Sequence, residues 1–211
     1  MQSDDETLAE DPSRALVAAG FGLGDSPEEL LRHYLSDADA RLRVIALRGA
    51  VRQGFLREDE WMGLLDDEDV AIRRDGARLI AYRDVLSDQL ARRLVAALGD
   101  LDALVSERAA FALGEHHVVD AVDALCALAR DHEDARCRES AVAALGAIGD
   151  RAGLPTIIAE LDDKAPIRRR AIVALSNFEG PEVDAALERS RDDRDWQVRA
   201  AVTQLGRHEN D

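Results

Sequence analysis

Apolar residues recur along the chain at the three- and four-residue spacing of an amphipathic helix, with small residues at one fixed place in the pattern. Six related segments carry it: LRVIALRGA, IRRDGARLI, VSERAAFAL, CRESAVAAL, IRRRAIVAL and QVRAAVTQL. The fifth place of each segment holds, in order, Ala46, Gly76, Ala109, Ala141, Ala171 and Ala201. The apolar neighbours four before, one after and four after this place share one side of a helical wheel. The pattern predicts six helices, each with a small residue inside its buried face.

Each segment is the second half of a longer unit. The small residue recurs at spacings of 30, 33, 32, 30 and 30 residues, and a period near 30 kept six times is typical of stacked repeats. An upstream apolar stretch, such as DQLARRLVAAL or GLPTIIAEL, predicts another helix in every unit. An aspartate-rich turn joins the halves and offers N-caps for the second helix at Asp39, Asp69, Asp102 and Asp134. The unit is therefore helix, turn, helix.

These units account for most of the chain. We expect a repeat domain over 26–211, with repeats at approximately 26–55, 56–86, 87–116, 117–149, 150–179 and 180–211. Residues 12–25 contain SRALVAAG, which predicts a capping helix for the first repeat, and then the turn FGLGD. Residues 1–11 carry five acids and no base, so we expect a flexible acidic tail there.

The unit resembles the HEAT repeat, and in particular the short phycobilisome-lyase type, whose second helix has the pattern V-R-x-x-A-x-x-A-L-G. CRESAVAALG at 137–146 is similar to it, as is IRRRAIVAL at 167–175. The sequence departs from the pattern at single places: Ser106, Val198 and Gly76. The resemblance covers about residues 26–207. It implies an all-α fold, a right-handed α-solenoid of six HEAT-like helical hairpins whose second helices line the concave side.

An arginine stands three places before the small residue in four repeats, on the apolar side of the helical wheel: Arg43, Arg73, Arg138 and Arg168. A charge buried there needs a partner, because an isolated ion in the protein interior is strongly unfavourable. Aspartates recur nine places before the small residue: Asp37, Asp67, Asp100, Asp162 and Asp192. We predict a structural Arg–Asp ladder that links successive turns. The alternative is an arginine clamp for anions.

Four positions of each second helix face outwards, and arginines outnumber acids among them. The candidate partner-binding residues on this face are Arg48, Arg52, Arg74, Arg78, Tyr82, Arg108, Phe111, Arg169 and Arg170. Arginine and aromatic side chains are favoured at interface hot spots, and a positive face would attract an acidic partner. The alternative is that these arginines pair with acids on neighbouring helices and form an ordinary solvated surface.

The overall charge has the opposite sign. The chain has 43 acidic and 27 basic residues, a net charge of −16, and Lys164 as its one lysine. An excess of carboxylates with hardly any lysine is typical of proteins that stay soluble in multimolar intracellular salt, so we expect a halophilic source. The acidic start does not resemble a signal peptide, and no apolar run reaches the ~18 residues of a membrane span. We expect a cytoplasmic protein.

Candidate chemistry is sparse. Cys126, His132 and Cys137 could approach one another across a hairpin, but they lack a fourth ligand and the tight cysteine spacing of zinc sites. We therefore predict no metal and no cofactor. HEAT-type deoxyhypusine hydroxylases carry His-Glu pairs before the small residue, and no second helix here has one. No Walker loop, GxGxxG, GxSxG or HExxH motif occurs either.

The sequence thus predicts a non-enzymatic scaffold that binds an acidic protein through its second-helix face. Two alternatives stay open. HEAT-type DNA glycosylases hold duplexes in a basic concavity, so the same arginines could contact nucleic acid. The phycobilisome-lyase resemblance implies a role in attaching or detaching bilin chromophores.

Overall fold

The computed structural model describes residues 11–208, and every regular element in this part of the chain is helical. Residues 1–10, where most of the expected tail falls, and residues 209–211 lie outside the described part. The α-helices are α1 Pro12–Gly20, α2 Pro27–Tyr34, α3 Ala40–Gln53, α4 Glu58–Leu65, α5 Val70–Ile80, α6 Asp88–Ala97, α7 Ala103–Glu115, α8 Val122–Asp131, α9 Ala135–Ile148, α10 Leu154–Ala159, α11 Ala165–Leu175, α12 Pro181–Ser190 and α13 Trp196–His208. The predicted all-α class is confirmed.

The chain divides into two compact units, of which residues 11–79 and 80–208 are described. In the first unit α1, α2 and α3 pack on one another around a core of Leu16, Ala19, Leu31 and Ala46. The helices α1 and α3 meet at two glycines: a Cβ built on Gly20 would lie 3.0 Å from the Cα of Gly49. Side chains at these two places would force the helices apart.

In the second unit each first helix packs on the second helix that follows it, in the pairs α6–α7, α8–α9, α10–α11 and α12–α13. The second helices α7, α9, α11 and α13 also pack on one another in that order. This is the stacking that the repeat pattern predicts. The helices α8 and α10 are each preceded by a short 3₁₀ turn, and a third 3₁₀ turn follows α10.

Small residues let the stacked helices approach closely. Ala109, Ala141 and Ala171 are completely buried. The tightest places are two glycines further along the same helices. A Cβ on Gly114 of α7 would lie 2.8 Å from the Cα of Ala144 on α9. A Cβ on Gly146 of α9 would lie 2.5 Å from the Cβ of Ala174 on α11. Gly76 has a different reason for lacking a side chain, because its Cβ would lie 2.7 Å from the Cβ of Leu64 on α4.

The aspartate-rich turns begin the second helices as predicted. The four expected caps each accept a hydrogen bond from a backbone N–H in the first turn, at 2.7 to 3.2 Å: Asp39, Asp69, Asp102 and Asp134. A second carboxylate two residues earlier accepts the N–H of the capping residue itself, as Asp67 does from Asp69 at 2.8 Å. The two carboxylates hold the turn in one shape.

None of the helices in the described part is both long enough and apolar enough to span a membrane.

Candidate functional site

The predicted buried arginines bind the turns of their own repeat and of the next one. Arg168, 5% exposed, donates from Nε and Nη2 to the two carboxylate oxygens of Asp193, both at 2.8 Å. Its Nη1 donates to the backbone carbonyl of Asp163 at 2.8 Å. A bidentate pair with a further hydrogen bond satisfies the buried guanidinium. This is a structural contact and leaves no open anion site.

Two more arginines repeat the arrangement. Arg138 donates to the two carboxylate oxygens of Asp163 at 2.7 and 3.0 Å and to the carbonyl of His132 at 2.8 Å. Arg43 donates to the carboxylate of Asp67 and to the carbonyl of Asp37, both at 2.8 Å. In the turn that follows, Arg73 donates to the carbonyl of Asp67 at 2.9 Å. The structure therefore contains an Arg–Asp ladder of the predicted kind.

Some of its carboxylates differ from those predicted. The partners of Arg138 and Arg168 are Asp163 and Asp193, each one residue beyond the expected Asp162 and Asp192. Each of these two carboxylates accepts an N–H just before the second helix. For Asp193 the shift follows the helix start, because α13 begins one residue closer to Ala201 than the earlier helices do to their small residues. The helix α11 begins at the usual distance from Ala171, and there the turn itself differs, because Asp163 accepts the N–H of the next residue, Lys164, rather than that of a residue two places on.

The other two predicted carboxylates also have turn-forming roles. The carboxylate of Asp37 accepts the N–H of Asp39 at 2.7 Å, and its carbonyl, rather than its side chain, receives Arg43. The carboxylate of Asp100 accepts the N–H of Asp102 at 2.8 Å. Both residues therefore stand at the turn positions that the repeat pattern assigns to them.

The surroundings of the ladder carboxyls shift their pKa values in opposite directions. Hydrogen bonds from Arg138 and Arg168 lower the pKa of the Asp163 and Asp193 carboxyls. Glu160 is buried beside Asp163, and burial together with the neighbouring carboxylate raises its pKa to about 7. When protonated, Glu160 shares a hydrogen bond with Asp163. The ladder between the fourth and fifth repeats thus contains one carboxyl that stays charged and one that is about half protonated near pH 7.

The junction between the third and fourth repeats has neither member of the pair. Ser106 takes the place of the arginine and donates from its hydroxyl to the carbonyl of Asp100 at 3.3 Å. His132 takes the place of the aspartate, and its Nδ1 accepts the N–H of Asp134 at 3.0 Å. Both partners are therefore replaced together, each by a residue that keeps the local hydrogen bond of its own turn.

The first unit contains an arginine cluster, in which Arg48 and Arg78 share one carboxylate and Arg52 lies one helical turn beyond Arg48. Arg48 donates from Nε and Nη2 to one oxygen of Asp75 at 2.8 and 2.7 Å. Arg78 approaches the other oxygen at 3.4 Å. Asp75 is only 6% exposed, whereas the Arg48 side chain is 58% exposed. The guanidinium of Arg52 lies 4.0 Å from the centre of the Phe21 ring, within range of a cation–π interaction.

The second unit contains a groove of about 490 Å³ across α7, α9 and α11. Small residues line it where the helices approach most closely, including Gly114, Ala143, Ala144 and Ala147. Phe111 forms an apolar wall, and its ring centre lies 6.5 Å from that of Tyr82. The charged residues around the groove are Glu107, Arg108, Glu115, Arg136, Glu139 and Arg170.

Most of the arginines of the groove already contact a partner. Arg170 binds Glu139 at 3.2 Å, and Arg136 binds Asp134 beside it at 2.8 Å. Arg108 also has an interaction partner. Glu107 and Glu115, by contrast, form no salt bridge with any residue in the described part of the chain. The pKa of Arg136 is raised by its hydrogen bond to Asp134 and, to a smaller extent, by the charge of Glu107.

The structure brings the predicted partner-binding residues together in two groups. Arg48, Arg52 and Arg78 belong to the cluster of the first unit, and Arg74 on the same helix as Arg78 is also engaged. Arg108, Phe111 and Arg170 line the groove of the second unit, with Tyr82 beside Phe111 and with Arg169 donating to Gln197 at 3.3 Å. Carboxylates therefore pair with three of these arginines, Arg48, Arg78 and Arg170.

The candidate metal ligands Cys126, His132 and Cys137 do not form a metal-binding group in the described part of the chain. No group of three or more His, Cys, Asp or Glu side chains in residues 11–208 could hold a metal ion. Cys126 and Cys137 are both buried free thiols. Cys137 donates to the carbonyl of Ala103 at 3.1 Å, and burial raises its pKa to about 11. Since His132 is occupied in its own turn, the three side chains serve packing and turn formation.

Sequence comparison agrees with this architecture. The HEAT repeats family matches residues 58–146, 91–171 and 122–206, which together cover more than half of the chain. The chain belongs to the HEAT-repeat family. The departures at Ser106 and Gly76 therefore fall inside recognised HEAT repeats, and the contacts of these two residues explain both. No curated protein matches the chain in sequence.

Several solved structures have a similar helical repeat fold at low sequence identity. An engineered protein has a TM-score of 0.65 at 20% identity, over 87% of this chain and 97% of that one. The complex of CpcE and CpcF of phycocyanin lyase from Nostoc sp. PCC7120 has a TM-score of 0.63 at 21% identity, over 95% and 79%. A designed armadillo repeat protein in complex with the peptide (KR)4 has a TM-score of 0.55 at 16% identity, over 93% and 97%. Repeat folds of this kind are typical of protein-interaction scaffolds.

Sequence analysis missed the acidic residues of the arginine cluster and of the groove, because their roles depend on which helices pack together. Sequence analysis assigned no role to Asp75, Glu107 or Glu115. Which arginine a carboxylate meets depends on the axial register of neighbouring helices, and a repeat pattern alone does not give that register. The recurrence of an outward acid next to an outward arginine, as in Arg74-Asp75 and Glu107-Arg108, was the available signal.

Proposed function

We propose that this HEAT protein is a non-enzymatic interaction module that binds an acidic protein segment at the arginine cluster of its first unit. The outward positions of α3 and α5 up to residue 79 hold four arginines and one acid, Asp75. The HEAT fold supports a scaffold role, and the local excess of arginine supports an acidic partner.

The observation that carries the proposal is the sharing of Asp75. One buried carboxylate orients two guanidinium groups. Binding of a partner therefore does not have to include the entropy cost of ordering these two side chains. Arg48 uses two of its five N–H donors on Asp75 and is more than half exposed, which leaves donors for a partner carboxylate. Arg52 adds a third guanidinium one helical turn away, held against Phe21.

The solvent sets a further condition. We propose a high-salt cytoplasm as the setting, since the net charge of −16 with a single lysine is suited to it. The Debye length is ~3 Å at 1 M salt, so long-range attraction is negligible there. Recognition must then rely on direct bidentate contacts, which the cluster can form.

The test is the affinity of a fluorescein-labelled peptide of alternating glutamate and serine, measured by fluorescence anisotropy at low salt and at about 1 M KCl. Because Arg52 does not hold Asp75, Arg52→Glu should weaken binding by about tenfold or more without loss of fold. Arg48→Lys keeps the charge but loses the fork of donors, so it should weaken binding most clearly at high salt.

Arg14→Glu on α1 makes the same charge change as Arg52→Glu at an exposed arginine outside the cluster and is the matched control. Equal losses for Arg14→Glu and Arg52→Glu would mean that only overall charge matters. Full affinity of Arg52→Glu and Arg48→Lys would rule the cluster out as the binding site.

The similarity to the CpcE–CpcF complex supports a second candidate, a bilin-lyase-like accessory role. The measurement is the visible absorbance of a bilin added to the purified protein. A shifted and intensified band would favour this candidate, and an unchanged spectrum would remove it.

A further inference from the structure

We propose that the groove of the second unit is a separate docking site, for a polypeptide segment that presents a basic side chain next to an apolar one. It shares no residue with the arginine cluster. Its chemistry is also different, since its unpaired charges are negative and its walls are partly aromatic.

The basic side chain has a defined place along α7. Glu107, Phe111 and Glu115 are spaced four residues apart and therefore lie on one side of the helix, about 12 Å from first to last. Phe111 is 42% exposed and Tyr82 beside it is 70% exposed. A guanidinium or ammonium over the Phe111 ring would be flanked by a carboxylate on each side, so a cation–π contact and ion pairs act on the same group.

The apolar side chain fits the next helix. The position of α9 equivalent to Phe111 holds Ala143, and the one equivalent to Glu115 holds Ala147. With Gly114 and Ala144 these residues form a shallow floor without long side chains. The equivalent position on α11 is Val173, which is also exposed. An apolar row thus continues from Phe111 across the repeats, and it would be buried by a segment lying across the helices.

The balance of charge decides between a basic and an acidic segment. Within the groove Arg170 is bound by Glu139 and Arg136 by Asp134. Arg108 has a partner too. Glu107 and Glu115 are the lining carboxylates without an ion pair among the residues that the structure describes. An acidic segment would have to displace existing pairs and approach these two carboxylates, whereas a basic one would complete them.

The experiment compares three labelled peptides of equal length by anisotropy: alternating arginine and leucine, alternating glutamate and leucine, and alternating arginine and serine. We expect the arginine–leucine peptide to bind at least about tenfold more tightly than either of the others. Leucine gives the apolar contact and arginine the charged one, so the two controls remove one contribution each.

Variants locate the site. Glu107→Gln combined with Glu115→Gln should weaken the arginine–leucine peptide by about tenfold or more. Phe111→Leu keeps an apolar surface but removes the ring face, and should weaken it by about threefold. Asp184→Asn combined with Glu188→Gln, on the first helix α12, removes two exposed acids outside the groove and controls for attraction to the overall negative charge.

The proposal is overturned if the control pair weakens binding as much as the groove pair, or if the glutamate–leucine peptide binds as tightly as the arginine–leucine one. Thermal melting of each variant checks that the fold is intact. Arg52→Glu should leave this affinity unchanged, so failure of the groove and failure of the arginine cluster are read out separately.

Discussion

A single methyl group added at Gly146 tests the close approach of stacked helices in the second unit. A Cβ there would lie 2.5 Å from the Cβ and 2.7 Å from the Cα of Ala174, and carbon atoms normally stay ~3.5–4 Å apart. Since the obstacle includes backbone, no side-chain rotation relieves it. The helices α9 and α11 must therefore move apart by about 1 Å in Gly146→Ala.

Two opposing effects set the size of the change. Replacing a glycine inside a helix by alanine stabilises that helix by up to about 1 kcal/mol. Overpacking a well-packed interface costs about 1–3 kcal/mol. We therefore expect Gly146→Ala to lower the free energy of unfolding of the second unit by about 1 kcal/mol.

Gly63 provides the matched control, because it lies inside α4 and nothing stands within 4 Å of a Cβ built on it. Gly63→Ala should raise stability by about 0.5–1 kcal/mol. Urea titrations followed by circular dichroism, with amide hydrogen exchange of α4 and α9, measure both changes. If Gly146→Ala stabilises its helix as much as Gly63→Ala does, the helices do not approach as closely as described.

Three further predictions concern the ladder. Asp193→Ala leaves the buried Arg168 guanidinium without its carboxylate and should lower the free energy of unfolding by about 3 kcal/mol in urea titrations. Glu160 has a pKa raised to about 7, so its contribution to stability falls as pH rises from its ordinary value through 7. Glu160→Gln should therefore become more stable than the parent by up to about 3 kcal/mol between pH 5 and pH 8. Ser106→Arg should destabilise the protein, and adding His132→Asp should recover at least about 1 kcal/mol by restoring the pair.

Each of these has an outcome that would contradict it. A small effect of Asp193→Ala, equal to that of Asp192→Ala next to it, would mean that the ion pair does not form in solution. Parallel stability curves of Glu160→Gln and the parent from pH 5 to 8 would mean that Glu160 titrates as an exposed acid does. Strict additivity of Ser106→Arg and His132→Asp would show that their side chains do not meet.

The elements that sequence analysis predicted well are those set by local spacing. A small residue flanked by apolar side chains at helical intervals predicts its own burial, and Ala109, Ala141 and Ala171 are buried. An aspartate just before such a run can bond only the N–H groups that follow it, so the caps at Asp39 and Asp134 could be read directly. The arginine inside the apolar stripe likewise required a carboxylate.

The parts that were not predicted depend on distances between elements. Asp193 replaces its neighbour because a helix start can shift by one residue without any change in apolar spacing, and Asp163 replaces its neighbour because the turn before α11 uses a different backbone N–H. The repeat spacing places His132 where other repeats have an aspartate, but its hydrogen bond with the N–H of Asp134 depends on the ring orientation, which the spacing does not give. The groove charges required knowledge of which side chains meet across helices, as Arg170 and Glu139 do.

Serine and histidine replace the ladder pair at the junction between the third and fourth repeats. The stability of the second unit should therefore depend on pH more strongly beyond α9 than between α7 and α9. On one side of α9, adhesion depends on Asp163 and Asp193 staying ionised, so acidification below their lowered pKa values erodes it. Close glycine contacts, of Gly114 with Ala144 and of Gly146 with Ala174, join the helices on both sides of α9 and do not titrate, but the contact between α7 and α9 has no ladder pair beside it. At strongly acidic pH the carboxyl-terminal repeats would thus unfold first, and the apolar core around α7 and α9 would stay folded.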